Sequence, residues 1–146
     1  MAQGVIRHLA PDQYSPLTLA YIGDAIYELF IRTMVVEEGS APVHLLHQKS
    51  SQLEKAEKQS ELVGILEPMF TEKEAQIYHR GRNAKSWTRA KNAGIVEYRR
   101  ATGLEAVVGY LYLEGDLERI RELLAAGLGI DREALALPFE KTERGE

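Results

Sequence analysis

The sequence predicts a single all-α domain, and three observations carry that expectation. Apolar residues return every three or four positions, as at Leu19, Ile22, Ile26, Leu29 and Phe30, where strands would alternate. Helix-start signals recur at Ser15-Pro16, at Thr71 with Glu74 three residues on, and at Asp116. The β-branched pairs Val35-Val36 and Val107-Val108 sit inside helical periodicity, so nothing reads as a strand. A chain of 146 residues buries enough surface for one core without staples.

The elements follow in order. Ser15 caps and Pro16 opens a first helix that runs to about Glu38, before Gly39. A second helix is expected from Ser40 or Ala41 to just before Pro68, with apolar positions Leu45, Leu46, Leu53, Leu62, Ile65 and Leu66 and the polar stretch 49–61 solvated. Thr71 and Glu74 form a capping box that starts a third helix, and Gly81 stands where a C-terminal glycine cap belongs. Residues 80–94, rich in glycine, asparagine and basic side chains, read as a mostly irregular loop. A fourth helix spans about 96–113, a fifth, capped by Asp116, about 117–126, and a last turn lies near 132–137. The domain is expected to fill 1–146, with its core at about 15–127 and a flexible charged tail at 138–146.

Composition narrows the functional classes. With no cysteine there is neither a disulfide framework nor a thiolate zinc site, which fits a reducing cytoplasm. No apolar run approaches the ~18 residues of a membrane span, and the N-terminus carries no export signal, so a soluble cytoplasmic protein is expected, with no membrane partner. The formal charge of −4 hides an asymmetry. Seven Lys/Arg against one Glu fall between Arg80 and Arg100, leaving 11 bases against 21 acids elsewhere. A basic patch on an acidic body is the footprint of a polyanion held on one surface.

Two carboxylates stand out because each is alone in an apolar helical run. Asp24 follows Gly23 in the segment Leu19-Ala20-Tyr21-Ile22-Gly23-Asp24-Ala25-Ile26. The glycine costs about 1 kcal/mol against alanine in a helix interior, and an unpaired carboxylate beside a core costs more. Glu105 is flanked at i−4 and i+4 by Ala101 and Gly109. Small residues let helix backbones approach, so the two helices are expected to pack together, bring Asp24 to Glu105, and share a hard divalent cation between oxygen ligands. Left unpaired with each other, both would be ordinary half-buried acids, Asp24 against Arg32 for instance.

Three segments in order, Tyr21-Ile22-Gly23-Asp24-Ala25, Arg80-Gly81-Arg82-Asn83-Ala84-Lys85 and Leu104-Glu105-Ala106-Val107-Val108-Gly109-Tyr110, resemble the ribonuclease III catalytic domain. The resemblance extends over about 17–124 and is strongest to the small Mini-ribonuclease III form, which lacks a separate double-stranded-RNA-binding domain. It implies an all-α homodimeric endonuclease that hydrolyses phosphodiesters of double-stranded RNA with Mg²⁺, or Mn²⁺ in its place, leaving 5′-phosphate and 3′-hydroxyl ends. For the small form it implies the large-subunit (23S) ribosomal RNA precursor in pre-ribosomal particles as substrate. Asp24 and Glu105 carry over as catalytic and metal-binding residues. Two further carboxylates of the larger enzymes do not, since Ala20 and Thr102 stand in their places, so water, phosphate oxygens and Thr102 through a water are expected to complete a weakly held cation. Arg80, Arg82, Asn83, Lys85, Arg89 and Lys91 are the expected RNA-binding residues, with Trp87 against the minor groove or anchored on the core.

Other readings remain open at this level. A non-catalytic RNA-binding or ribosome-assembly module on the same fold would explain Ala20 and Thr102. An all-α nucleotide pyrophosphohydrolase built around Glu54 would leave the basic segment without a task. Glu54, Glu57 and Glu61 read as a solvated face. Glu28 reads as pointing to solvent or sitting near the cation, and His44 with His47 has zinc spacing but no third ligand.

Overall fold

A computed structural model describes residues 8–85 and 94–139. Six helices build it: α1 (Pro16–Glu37), α2 (Val43–Glu54), α3 (Ala56–Leu66), α4 (Glu72–Asn83), α5 (Ile95–Leu113) and α6 (Leu117–Leu128). Short 3-10 turns occupy Pro11–Gln13, Glu67–Met69 and Arg132–Ala134, and no strand occurs among the described residues. The caps act where the sequence puts them. Ser15 Oγ accepts from the Thr18 amide, Thr71 and Glu74 close the capping box, and Asp116 Oδ1 accepts from the Arg119 amide at 3.0 Å.

The molecule is arranged around α5. Helices α1, α3 and α4 all pack on it, and α6 closes the side nearest α3. From Ala101 to Gly109 every residue of α5 is buried except Glu105, which is half-buried. A helix covered on all sides reads as apolar all round, and this one does. Tyr27, Phe30, Ile31, Leu62, Leu66, Ile77, Leu104 and Leu124 fill the space between it and its neighbours. Arg119 of α6 ties α4 in place: its Nε and Nη2 donate to the two oxygens of Glu74 at 2.9 and 2.8 Å, and Nη2 also to the Met69 carbonyl.

Four expectations need correction. The long second helix is two helices, because Lys55 takes an extended conformation (φ −72°, ψ 156°) and ends one while starting the next. The break leaves the Leu53 carbonyl outside any helical ladder, and the buried Tyr27 hydroxyl donates to it at 2.6 Å, satisfying two groups that would otherwise be orphaned. The break also redirects α3, so the polar stretch is not wholly solvated: Ser50, Gln59 and Ser60 are buried. Gly81 does not cap α4 but lies inside it, facing α5, where an added Cβ would sit 2.9 Å from Ala106 Cβ and 3.0 Å from Gly103 Cα. Helix α4 accordingly continues through Arg80, Arg82 and Asn83, part of the segment expected to be irregular.

Candidate active site

The site begins with two glycines. A Cβ added to Gly23 of α1 would lie 1.7 Å from the Glu105 carbonyl oxygen of α5, and one added to Gly109 of α5 would lie 2.0 Å from the Leu19 carbonyl oxygen of α1. Backbone therefore meets backbone, and neither position has room for any side chain. This contact brings Asp24, the next residue after Gly23, beside Glu105. The expected convergence of the two lone acids is what the fold produces.

Their electrostatics follow from that closeness. The Glu105 carboxyl is pushed up from 4.5 to about 8, first by burial, then by the neighbouring Asp24 charge and a hydrogen bond shared with it. Glu28, half-buried one turn beyond Asp24, adds to the rise, so it belongs to the acidic surroundings of the site. Opposing this, the Gln59 side-chain amide donates to Glu105 Oε2 at 3.4 Å. No cationic side chain reaches either acid among the described residues. Arg32 is drawn to Glu54 instead, at 3.8 Å.

Glu54 is the acid the sequence placed on the wrong surface. Its side chain is 14% exposed, and its Oε2 is buried without a hydrogen bond. Burial first, then Glu28, raises its carboxyl; Arg32 pulls the other way, and Asp24 again raises it. Glu57 and Glu61 do lie on the solvated face. Gln59 was missed entirely, since a glutamine among Glu and Lys carries no local mark of burial. Ala20 and Thr102 are both buried, and the Thr102 hydroxyl donates back to the Tyr98 carbonyl at 3.0 Å. His44 and His47 are exposed, and no group of three or more His, Cys, Asp or Glu side chains is arranged to hold a metal among the described residues.

The basic residues divide. The Arg80 guanidinium donates to the carbonyls of Asp12 and Tyr14 at 3.1 and 3.3 Å, bracing the N-terminal turn while remaining exposed. Arg82 lies over the Tyr78 ring at 5.8 Å and donates to Asn83 Oδ1, at the end of α4. Asn83 and Lys85 are exposed. Arg89, Lys91 and Trp87 lie outside the described residues, as do residues 140–146 of the tail expected at 138–146.

Residues 17–116 match the Ribonuclease III domain family, a span that contains both acids and the whole α1–α5 contact. The chain belongs to the ribonuclease III family. Within it, the chain is 46% identical over 121 residues to Mini-ribonuclease 3 of Symbiobacterium thermophilum, covering 83% of this chain and 93% of the relative. Mini-ribonuclease 3 of Clostridium tetani is 45% identical over 123 residues, 84% of this chain and 82% of the relative. A crystal structure of a Fusobacterium nucleatum protein superimposes with a TM-score of 0.72 at 31% identity, over 80% of this chain and 93% of that one. As a ribonuclease III domain of the Mini type, the chain is an endoribonuclease, and double-stranded RNA is the substrate class of its family.

Proposed function

We propose that this ribonuclease III enzyme is a Mg²⁺-dependent endonuclease, with Mn²⁺ able to substitute, that matures both ends of the large-subunit (23S) ribosomal RNA precursor in the cytoplasm. The observation that carries this reading is the pairing of Asp24 with Glu105 across the Gly23–Gly109 contact. Two carboxylates side by side, Asp24 exposed and Glu105 half-buried, cannot both ionise cheaply, so either a proton or a cation settles between them. The donors are all oxygen, and Mg²⁺ is a hard ion commonly held by one or two carboxylates, with water and substrate phosphate completing its shell. When bound, such an ion supplies Lewis-acid polarisation of the phosphoryl oxygen and a more acidic water.

The chain's own residues do the remaining work. Asp24 and Glu105 hold the site; Glu28 and Glu54 keep its surroundings negative, which draws a cation in. Paired RNA offers phosphates, 2′-hydroxyls and shape instead of readable major-groove edges, so one small domain has to grip it with its own surface. In this reading Arg82, Lys85, Arg89 and Lys91 meet phosphates and Asn83 a ribose, while Arg80 braces the start of that segment and adds its charge to it. Two copies act together, one site per strand. In support, Tyr21 is 82% exposed and Leu17 38% exposed, one turn apart on the face of α1 that also carries Asp24. An aromatic left that open beside an active site suits burial against a second copy. No helix among the described residues is long and apolar enough to cross a membrane.

A purified sample should cut a duplex ribosomal-precursor transcript with Mg²⁺ and stop when EDTA is added. Asp24→Asn should abolish cutting while leaving the circular-dichroism spectrum and duplex binding intact; cutting that survives it removes Asp24 from the chemistry. One observation favours a second reading, a non-catalytic RNA-binding module: Ala20 and Thr102 supply no carboxylates. That module would bind duplexes with a steep salt dependence and cut none at any Mg²⁺ or Mn²⁺ concentration.

A further inference from the structure

Gln59 is a buried polar residue for which the proposed chemistry has so far given no role. It is 2% exposed, in a helix whose neighbouring positions Glu57 and Glu61 are in solvent. A buried amide has to find partners, and this one spends its NH₂ on Glu105 Oε2, 46 residues away in the chain. Beside it, Glu105 shares a hydrogen bond only with the other acid, Asp24, among the described residues. The geometry that puts it there is the break at Lys55, which turns α3 away from the line of α2 and lays it along α5.

We infer that Gln59 is a positioning residue, whose amide fixes the rotation of the Glu105 carboxylate for a divalent cation shared with Asp24. The inference rests on the proposed cation site. The choice of residue type supports it. A lysine or arginine in this place would neutralise Glu105 and compete with the ion, whereas an amide orients the carboxylate and leaves its charge in place. Hydrogen bonds of this kind, made to a ligand and not to the metal, typically govern affinity by about 10- to 100-fold. Ala101 and Gly109, the α5 neighbours of Glu105 at i−4 and i+4, are too small to restrain its side chain.

The test uses the whole protein without RNA. Mn²⁺ binding is followed by electron paramagnetic resonance and calorimetry for wild type, Asp24→Asn and Gln59→Met, a variant that keeps length and apolar volume but has no donor. Melting in EDTA and duplex affinity in EDTA are measured alongside. The expected result is about tenfold or greater weakening of Mn²⁺ binding in Gln59→Met, with duplex affinity unchanged. In cleavage, the half-maximal Mg²⁺ concentration should rise by a like factor, and excess Mg²⁺ should restore the rate. If Gln59→Met does not fold, Gln59→Asn, which retains an amide but withdraws it by one methylene, is expected to weaken Mn²⁺ in the same way. Wild-type Mn²⁺ affinity and Mg²⁺ requirement in the folded variant, with Asp24→Asn still defective, overturn the positioning role alone. Unchanged Mn²⁺ binding in Asp24→Asn overturns the cation site and the role of Gln59 with it.

Discussion

Glu54 shows how far a single side chain's environment can depart from its local sequence. It lies in a run of Glu and Lys that suits solvent, yet its carboxyl faces inward toward the charges of Glu28 and Asp24, and burial together with Glu28 raises its proton affinity. For an acid the sign is unfavourable: a folded-state value above the unfolded one makes the charged form costly to bury. The cost is absent below the ordinary value of 4.5, grows as pH rises above it, and is complete once pH passes the raised one. Glu54→Gln should therefore melt above wild type at pH 8 in EDTA, with the gap closing toward pH 4. Its ion pair with Arg32, at 3.8 Å and with the arginine side chain 54% exposed, is worth too little to reverse this. A variant that melts lower at pH 8 would show that the Arg32 pair is the stronger effect. Asp24 and Glu105 were legible as isolated acids because their neighbours are apolar. Glu54 and Gln59 were not, because polar neighbours conceal a buried polar residue.

At the level of elements, the contact between α1 and α5 decides the site. Helix propensity alone would have Gly23→Ala gain about 1 kcal/mol. The 1.7 Å approach to the Glu105 carbonyl reverses that, since the backbones have to separate to admit a methyl group. A loss of about 1–3 kcal/mol is expected from overpacking, or more where backbone has to move. Urea denaturation measures it, and a stabilised Gly23→Ala would mean the helices are not in contact there. Because the displaced atom belongs to Glu105 itself, cleavage should fall even where the variant remains folded. The break between α2 and α3 was not legible in the same way. Nothing at Lys55 announces an end; the end is favoured by what it frees, the Leu53 carbonyl for Tyr27, and by the direction it gives α3. Gly81 misled for a related reason. A glycine late in a helix marks a cap or a close approach, and sequence cannot say which.

For the whole molecule, the question is how a domain of 16.4 kDa engages both strands of a duplex. In the proposed function a second copy covers the open face of α1 around Tyr21 and Leu17, and that proposal is open to a direct test. Light scattering should give a mass near twice 16.4 kDa for wild type, and Tyr21→Ser should shift it toward the single-chain value. A wild type that stays at the single-chain mass at micromolar concentration would exclude the pair. In such a monomer Asp24 and Glu105 would remain adjacent, so Mn²⁺ binding should survive in Tyr21→Ser while cleavage of both strands is lost.

The sequence by itself determined the helical class, the caps at Ser15, Thr71 and Asp116, the basic segment after Arg80, and the two acids that stand alone among apolar neighbours. Those features are local: periodicity, capping chemistry and charge are properties of adjacent residues. Only the tertiary structure decided that Gly23 meets the Glu105 carbonyl, that Glu54 and Gln59 turn inward, and that Arg80 braces the N-terminal turn. Each of these depends on how closely two distant backbones approach, and no window along the chain contains both.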